Sequence, residues 1–316
     1  MTRNAAEKFA SFQSIQEGFE ATGYVCSRQI ATTLYLAYHL DKPILVEGPA
    51  GVGKTELAKA AAAYLEKPLI RLQCYEGLDE SKALYEWKYA KQLLYTQILK
   101  EKLNDFLDDA EGLSASMARL HSYDDIFFSR DFLEPRPLLK ALQQPEGAVL
   151  LVDEVDKSDQ EFEAFLLEIL SDYQVSVPEI GTIQAISRPF VFLTSNNTRE
   201  MSEALKRRCL HLFIPFPDPK LESTILRVRV PDLSEALRKQ LVAFIHKVRR
   251  LDLKKAPSVS ETIDWARVLV LLHSESLGRD LIRDTLNVIL KFEEDMETVE
   301  ERLYELVDRN APEGTV

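Results

Sequence analysis

The sequence predicts an α/β protein, a mainly parallel sheet of five short strands followed by a smaller all-helical region. Three observations lead there. Up to Pro219, brief apolar runs alternate with stretches of helical periodicity, which is the pattern of βαβ units. A glycine-rich segment stands between the first of those runs and an alanine-rich helix. Beyond Pro219 the strand-like runs stop and helical periodicity takes over.

In chain order, Ala5–Glu20 and Ser27–Leu40 are expected as helices ahead of the sheet. Pro43–Glu47, a short apolar run bounded by turn residues, suits a first strand buried on both faces. The glycine loop Gly48–Gly53 and the helix Lys54–Leu65 follow. Further strands are expected at Pro68–Gln73, Ala148–Val152, Phe190–Thr194 and Leu210–Pro215. Between the second and third lies an insertion, about residues 75–144, with a polar stretch Asp108–Asp125 that is expected to be mobile. Its Tyr85, Trp87 and Tyr89 read either as local core or as a face for a partner. Ser158–Ser171 is the clearest helix. Ser158 and Glu161 make a capping-box pattern, and Phe162, Phe165, Leu166, Ile169 and Leu170 form one stripe. Val175–Ile183 reads as two short strands around Glu179–Gly181. Helices then run to Asp308 with breaks at Pro231 and Pro257. The expected division is residues 1–218 for the α/β domain and 219–316 for the helical one.

Composition narrows the function classes. A formal net charge of -12 argues against a broad grip on nucleic acid, which depends on Lys and Arg neutralising phosphates. The cysteines, Cys26, Cys74 and Cys209, show no paired spacing, so buried thiols in a reducing compartment are expected. Met1–Glu20 lacks the apolar core of a signal peptide, and no apolar run reaches the length of a membrane span; a cytoplasmic location is expected. The histidines, His39, His121, His211, His246 and His273, have no ligand spacing.

The strongest motif is Gly48-Pro49-Ala50-Gly51-Val52-Gly53-Lys54-Thr55. Glycines let successive backbone N–H groups turn toward phosphate oxygens, and the following helix presents its positive N-terminus. Lys54 suits the β and γ phosphates, and the Thr55 hydroxyl suits Mg²⁺. A second motif, Ala148–Val152 ending in Asp153 and Glu154, adds two carboxylates at a buried strand end. Asp153 is placed for the magnesium shell, and Glu154 for polarising a water toward the γ-phosphate. ATP and Mg²⁺ are therefore the expected cofactors.

With both motifs in hand the sequence resembles the AAA+ superfamily and, within it, the MoxR family, from about Tyr24 to about Leu272. The resemblance implies a P-loop three-layer sandwich with strand order 5-1-4-3-2 and a helical lid. Phe190–Asn196 looks like the strand of the first sensor, with Asn196 as the polar residue between Glu154 and the γ-phosphate and Asn197 as the alternative. Glu203–Cys209 is similar to the helix that delivers an arginine finger to a neighbouring subunit. Arg208 aligns best, and Arg207 is the alternative. Val175–Ile183 looks like the hairpin that precedes the sensor strand. The family usually has a second-sensor arginine at the start of a lid helix. Here that stretch holds Ser260 or Glu261, with Arg267 two turns along. By implication the protein forms a hexameric ring and works as a chaperone with a von Willebrand factor A domain partner, often in metal-cofactor insertion or enzyme assembly.

Three function classes remain in play: a motor that remodels proteins, a slow nucleotide-gated binding module, and a nucleic-acid motor. The acidic charge counts against the last. A small-molecule kinase fits poorly beside the Asp153–Glu154 pair, and no N-K-x-D segment speaks for a GTPase.

Overall fold

In a computed structural model of the protein, residues 7–95, 97, 129–178 and 180–307 are described; Asp108–Asp125, His121 and Glu179 fall outside them. Two helices lead, α1 (Phe12–Ala21) and α2 (Arg28–His39). Serines start both. Ser11 and Ser14 form a capping box and Ser27 accepts from the Ile30 amide, so the helix expected over Ala5–Glu20 runs from Phe12 after a break that follows a helical Glu7–Lys8, while Ala5 lies outside the described residues. Then come β1 (Ile44–Glu47), α3 (Lys54–Leu65) and β2 (Leu69–Gln73).

The segment after β2 holds α4 (Glu80–Ala83) and an antiparallel ribbon, β3 (Tyr85–Trp87) against β4 (Leu133–Pro135). Trp87 is buried there and Tyr85 packs on the same core, whereas Tyr89 is 64% exposed. Helix α5 (Pro137–Leu142) leads into β5 (Val149–Asp153), and α6 (Gln160–Asp172) follows. The start of α6 corrects the expected cap. Asp159 accepts from the Phe162 amide at 2.8 Å, while Ser158 turns its hydroxyl inward to the Val155 carbonyl at 2.7 Å. The stripe is as expected, with Phe162, Leu166, Ile169 and Leu170 buried. A hairpin, β6 (Gln174–Val177) and β7 (Gly181–Gln184), precedes β8 (Phe190–Ser195), α7 (Glu203–Arg208) and β9 (Leu210–Phe213).

The five long-range strands form one parallel sheet in the order β2-β5-β8-β1-β9. Counted along the chain, that is the expected 5-1-4-3-2. The three central strands are apolar on both faces because helices cover both. Ile44, Val46, Val149, Leu151 and Phe192 face α1, α2 and α3. Leu45, Leu150, Val152, Val191 and Leu193 face α5, α6 and the hairpin. Each such side chain contributes roughly 1.5–3 kcal/mol on burial. The register brings Glu47 level with Ser195 and Phe213, and Asp153 level with Gln73. All five strands therefore end at one edge, where parallel sheets place their ligands.

The C-terminal region is helical: α8 (Pro219–Arg229), α9 (Glu235–Val248), α10 (Val259–Leu271), α11 (Arg279–Ile289), α12 (Glu293–Glu301) and α13 (Leu303–Leu306). It has its own core around Trp265, whose indole N–H donates to Thr285 Oγ1 at 2.8 Å. The three cysteines are buried and unbridged, and burial pushes each thiol up to about 12. Among the described residues, no helix is long and apolar enough to cross a membrane. Among the same residues, no three His, Cys, Asp or Glu side chains cluster as metal ligands.

Candidate functional site

The loop between β1 and α3 can exist only with glycine at two of its corners. Gly48 has φ +150°, and a Cβ there would sit 2.1 Å from the Ile214 carbonyl oxygen. Gly51 has φ +73°, in the left-handed region, and its Cβ would meet Ser258 at 2.5 Å. The chain then enters α3 at Lys54, which is only 7% exposed. The Lys54 ammonium donates to the carbonyls of Gly48 and Pro49 and to Asn196 Oδ1, each at 2.7 Å. Burial lowers its pKa, and the carboxylates of Asp156, Asp153 and Glu154 work in the opposite direction.

One turn on, the Thr55 hydroxyl donates to Asp153 Oδ1 at 3.0 Å. Asp153 is buried at the end of β5 and also accepts from Thr194 Oγ1 at 2.5 Å. From the neighbouring strand β2, Arg71 grips its other oxygen through Nε at 3.0 Å and Nη2 at 2.6 Å. Glu154 follows in the left-handed region at φ +57°, a conformation that costs a non-glycine residue about 1–2 kcal/mol. Thr194 holds that turn, since it also accepts from the Glu154 amide at 2.9 Å. The Glu154 carboxylate receives Asn196 Nδ2 at 3.3 Å, Gln73 Nε2 at 2.9 Å and the Lys157 ammonium at 2.7 Å.

Of the two asparagines after β8, Asn196 is the one that stands between Lys54 and Glu154. Its amide oxygen faces the cation and its amide nitrogen faces the carboxylate. Asn197 has φ +60° and hydrogen-bonds through its backbone to Ser195 Oγ at 3.0 Å. Asp156 anchors this corner from below. Its Oδ2 accepts from the Asn196 amide at 3.2 Å, the Thr198 amide at 3.0 Å and the Thr198 hydroxyl at 2.6 Å.

The structure thus brings together Gly48–Thr55, Asp153, Glu154 and Asn196. Arg208 is elsewhere, at the exposed end of α7, and no side chain among the described residues pairs with it. Arg207 beside it reaches Glu203 at 3.9 Å. At the start of α10, Ser260 touches the loop through Gly51, whereas Glu261 completes the Ser258 capping box. Arg267 lies on an exposed face paired with Asp264 at 3.2 Å, turned to its own helix.

Four supporting residues, Arg71, Gln73, Thr194 and Asp156, are not expected from the sequence. Arg71 and Gln73 are polar residues two apart on an edge strand, which places both on one face, and that alternation was their signal. Thr194 and Asp156 sit beside recognised motifs but carry no pattern of their own. A cleft of about 440 Å³ also opens beside the loop, lined by apolar Tyr24, Val25, Val52, Ile214 and Ile263 with Glu56, Asp218 and Arg229 at hand. Its size and lining suit a flat heterocycle and a sugar. These residues come from segments far apart in sequence.

The residues fit a magnesium nucleotide. Two glycines leave room that a Cβ would fill, Lys54 supplies a buried cation, and Thr55 with Asp153 offers the oxygen donors that a hard divalent ion prefers.

A profile for the AAA domain (dynein-related subfamily) matches residues 43–209. That is 167 residues of 316, more than half of the chain. Similar proteins include an uncharacterized protein of Staphylococcus haemolyticus, 23% identical over 79% of this chain and 86% of its own length. Another, from Staphylococcus epidermidis strain RP62A, is 23% identical over 74% of this chain and 77% of its own. Among solved structures, a point mutant of Thermotoga maritima RuvB overlays with a TM-score of 0.46 at 17% identity, covering 88% of this chain and 76% of that one. A Cytophaga hutchinsonii protein solved as a candidate ATPase gives 0.45 at 16% identity, covering 97% and 98%. The chain belongs to the AAA domain family of ATPases, on a match to the dynein-related subfamily that spans residues 43–209.

Proposed function

We propose that this chain binds MgATP at Gly48–Thr55, hydrolyses it, and uses the cycle to remodel a partner protein, as a MoxR-like AAA+ ring. The observation that carries this reading is the run of hydrogen bonds from Lys54 through Asn196 to Glu154, which joins three separate motifs into one polar centre. In the proposal the loop amides and Lys54 hold the polyphosphate, and Thr55 with Asp153 holds Mg²⁺. Glu154 accepts the proton of an attacking water, which Asn196 orients without competing for it. MgATP supplies a phosphoanhydride whose cleavage releases free energy and changes the charge that the site must balance. Arg208 reaches the site of the next subunit, where a guanidinium meets the charge of the transition state. Residues 1–218 then form the nucleotide domain and 219–316 the lid, in a cytoplasmic hexamer served by a von Willebrand factor A domain partner.

Two measurements test this. Wild type should hydrolyse ATP in a Mg²⁺-dependent way, and Glu154→Gln should bind ATP but stall. Normal turnover by Glu154→Gln would remove the proposed base. Affinity capture with the stalled variant should retain a protein with a von Willebrand factor A domain; capture of nucleic acid instead would favour the nucleic-acid motor.

A second reading, a slow nucleotide-gated binding module, draws on the grip of Gln73 and Lys157 on Glu154. Those two donors occupy carboxylate lone pairs that an attacking water would otherwise use. If Gln73→Ala and Lys157→Ala leave a slow basal rate unchanged, the slowness lies elsewhere and this reading loses its support.

A further inference from the structure

We infer that Ser260, seated by Arg249, latches the first turn of α10 onto the phosphate loop, so that lid position and loop occupancy are coupled. The amide and the hydroxyl of Ser260 both donate to the Gly51 carbonyl, each at 3.2 Å. Ser260 is the second residue of α10, where a helix amide has no acceptor within its own helix. The phosphate loop supplies that acceptor across 209 residues of sequence. The approach is close enough that only glycine fits at position 51, since a Cβ would come within 2.5 Å of Ser258.

Arg249 fixes the turn that presents this helix end. Its side chain is 8% exposed and forks onto Glu222 of α8 at 2.6 and 2.8 Å. The same guanidinium donates to the Pro257 carbonyl at 2.8 Å, immediately before the Ser258 cap, and reaches Thr262 Oγ1 at 3.3 Å. It also lies over the Phe216 ring at 4.8 Å, and Phe216 lines the cleft beside the loop. One buried cation therefore connects the exit of the sheet, α8 and the start of α10. A guanidinium is suited to this because its fork serves several planar acceptors at once. Arg249 acts through Ser260 and is a positioning residue.

The coupling rests on the reading that Gly51 belongs to a phosphate-holding loop. If nucleotide steadies that loop, it steadies the latch, and by reciprocity the latch strengthens nucleotide binding by the same factor. One hydrogen bond of ordinary strength corresponds to roughly a two- to tenfold effect.

Hydrogen exchange on the full chain tests the latch without nucleotide. Asp280 occupies the same second position in α11, and its amide has no acceptor among the described residues. After correction for intrinsic rates, the Ser260 amide should exchange several-fold more slowly than that of Asp280. Equal rates would overturn the latch. Arg249→Lys should bring the Ser260 amide to the Asp280 rate with the fold intact by circular dichroism; retained protection would remove the role of Arg249. Titration with MgADP should then show a two- to fivefold weaker Kd for Ser260→Ala, restored in Ser260→Thr, with Tm unchanged. An unchanged Kd would overturn the coupling. Absence of any MgADP binding by wild type would instead contradict the phosphate-loop reading, and the free-chain exchange rates would still judge the contact.

Discussion

Lys54 and Arg208 are both cations that the sequence assigns to phosphate, and the fold treats them in opposite ways. Lys54 is almost wholly buried, and three oxygens surround its ammonium at 2.7 Å. Arg208 stands exposed at the end of α7, with no partner among the described residues. A buried ammonium is tolerable only when it is fully hydrogen-bonded, so Lys54 is fixed before any ligand arrives. An exposed guanidinium carries no such constraint and is free to meet another surface. The difference teaches that the nucleotide-holding half of the proposed site is complete within one chain. The half that would balance transition-state charge faces outward, as a role in trans requires.

Mutations at the two poles should therefore fail differently. Lys54→Ala should weaken MgATP binding by on the order of a hundredfold or more and abolish turnover, because the loop loses its only buried cation among the described residues. An isothermal titration that finds unchanged affinity would remove Lys54 from the phosphates. Arg208→Ala should bind MgATP as wild type does while kcat drops on the order of a thousandfold. A KM effect without a kcat effect would assign it to ground-state binding instead. Glu154→Gln belongs to the inner pole but should resemble Arg208→Ala in kinetics, with binding within a few-fold and kcat down about a hundredfold.

The smallest expected effect is on stability, beneath Asn196. Burial raises the Asp156 carboxylate, but hydrogen bonds from Thr198 and Asn196 outweigh it and hold the group below its ordinary value. A folded pKa below the unfolded one adds stability that is complete above about pH 4 and disappears as pH falls through the folded value. Thermal melts should show an acid-side loss in wild type that is smaller in Asp156→Asn. Asp156→Ala leaves three donors without their acceptor and should cost about 2 kcal/mol at neutral pH. An identical acid limb in wild type and Asp156→Asn would show that this carboxylate is not its source.

The inner pole was also the legible one, for a physical reason. A phosphate loop is made by consecutive residues, so Gly48–Thr55 states its geometry locally, and Asp153–Glu154 ends a run of apolar residues that only a buried strand explains. The parallel order of the sheet came with the family resemblance, and the alternation of strands and helices agreed with it. What could not be read was assembled from distant segments. Arg71 reaches Asp153 across 82 residues, and the cleft draws on Tyr24, Ile214 and Ile263 together. The cap of α6 was misplaced by one residue because Ser158 and Asp159 are both competent caps. Packing of Ser158 against the Val155 carbonyl decided between them. The sequence favours Asn196 with Asn197 as its alternative; in the structure Asn196 bonds to Lys54 and Glu154, while Asn197 takes a left-handed turn.

Complementation between the two poles probes this layout most sharply. Lys54→Ala subunits should hold no nucleotide but still offer Arg208, and Arg208→Ala subunits should hold nucleotide but lack the finger. Each alone should be inactive. In a random equal mixture, about a quarter of interfaces would pair an intact loop with an intact arginine, so ATPase activity should reappear in a ring with head-to-tail contacts. A mixture that co-assembles, binds MgATP and remains as inactive as its components would contradict the division of the site between two chains.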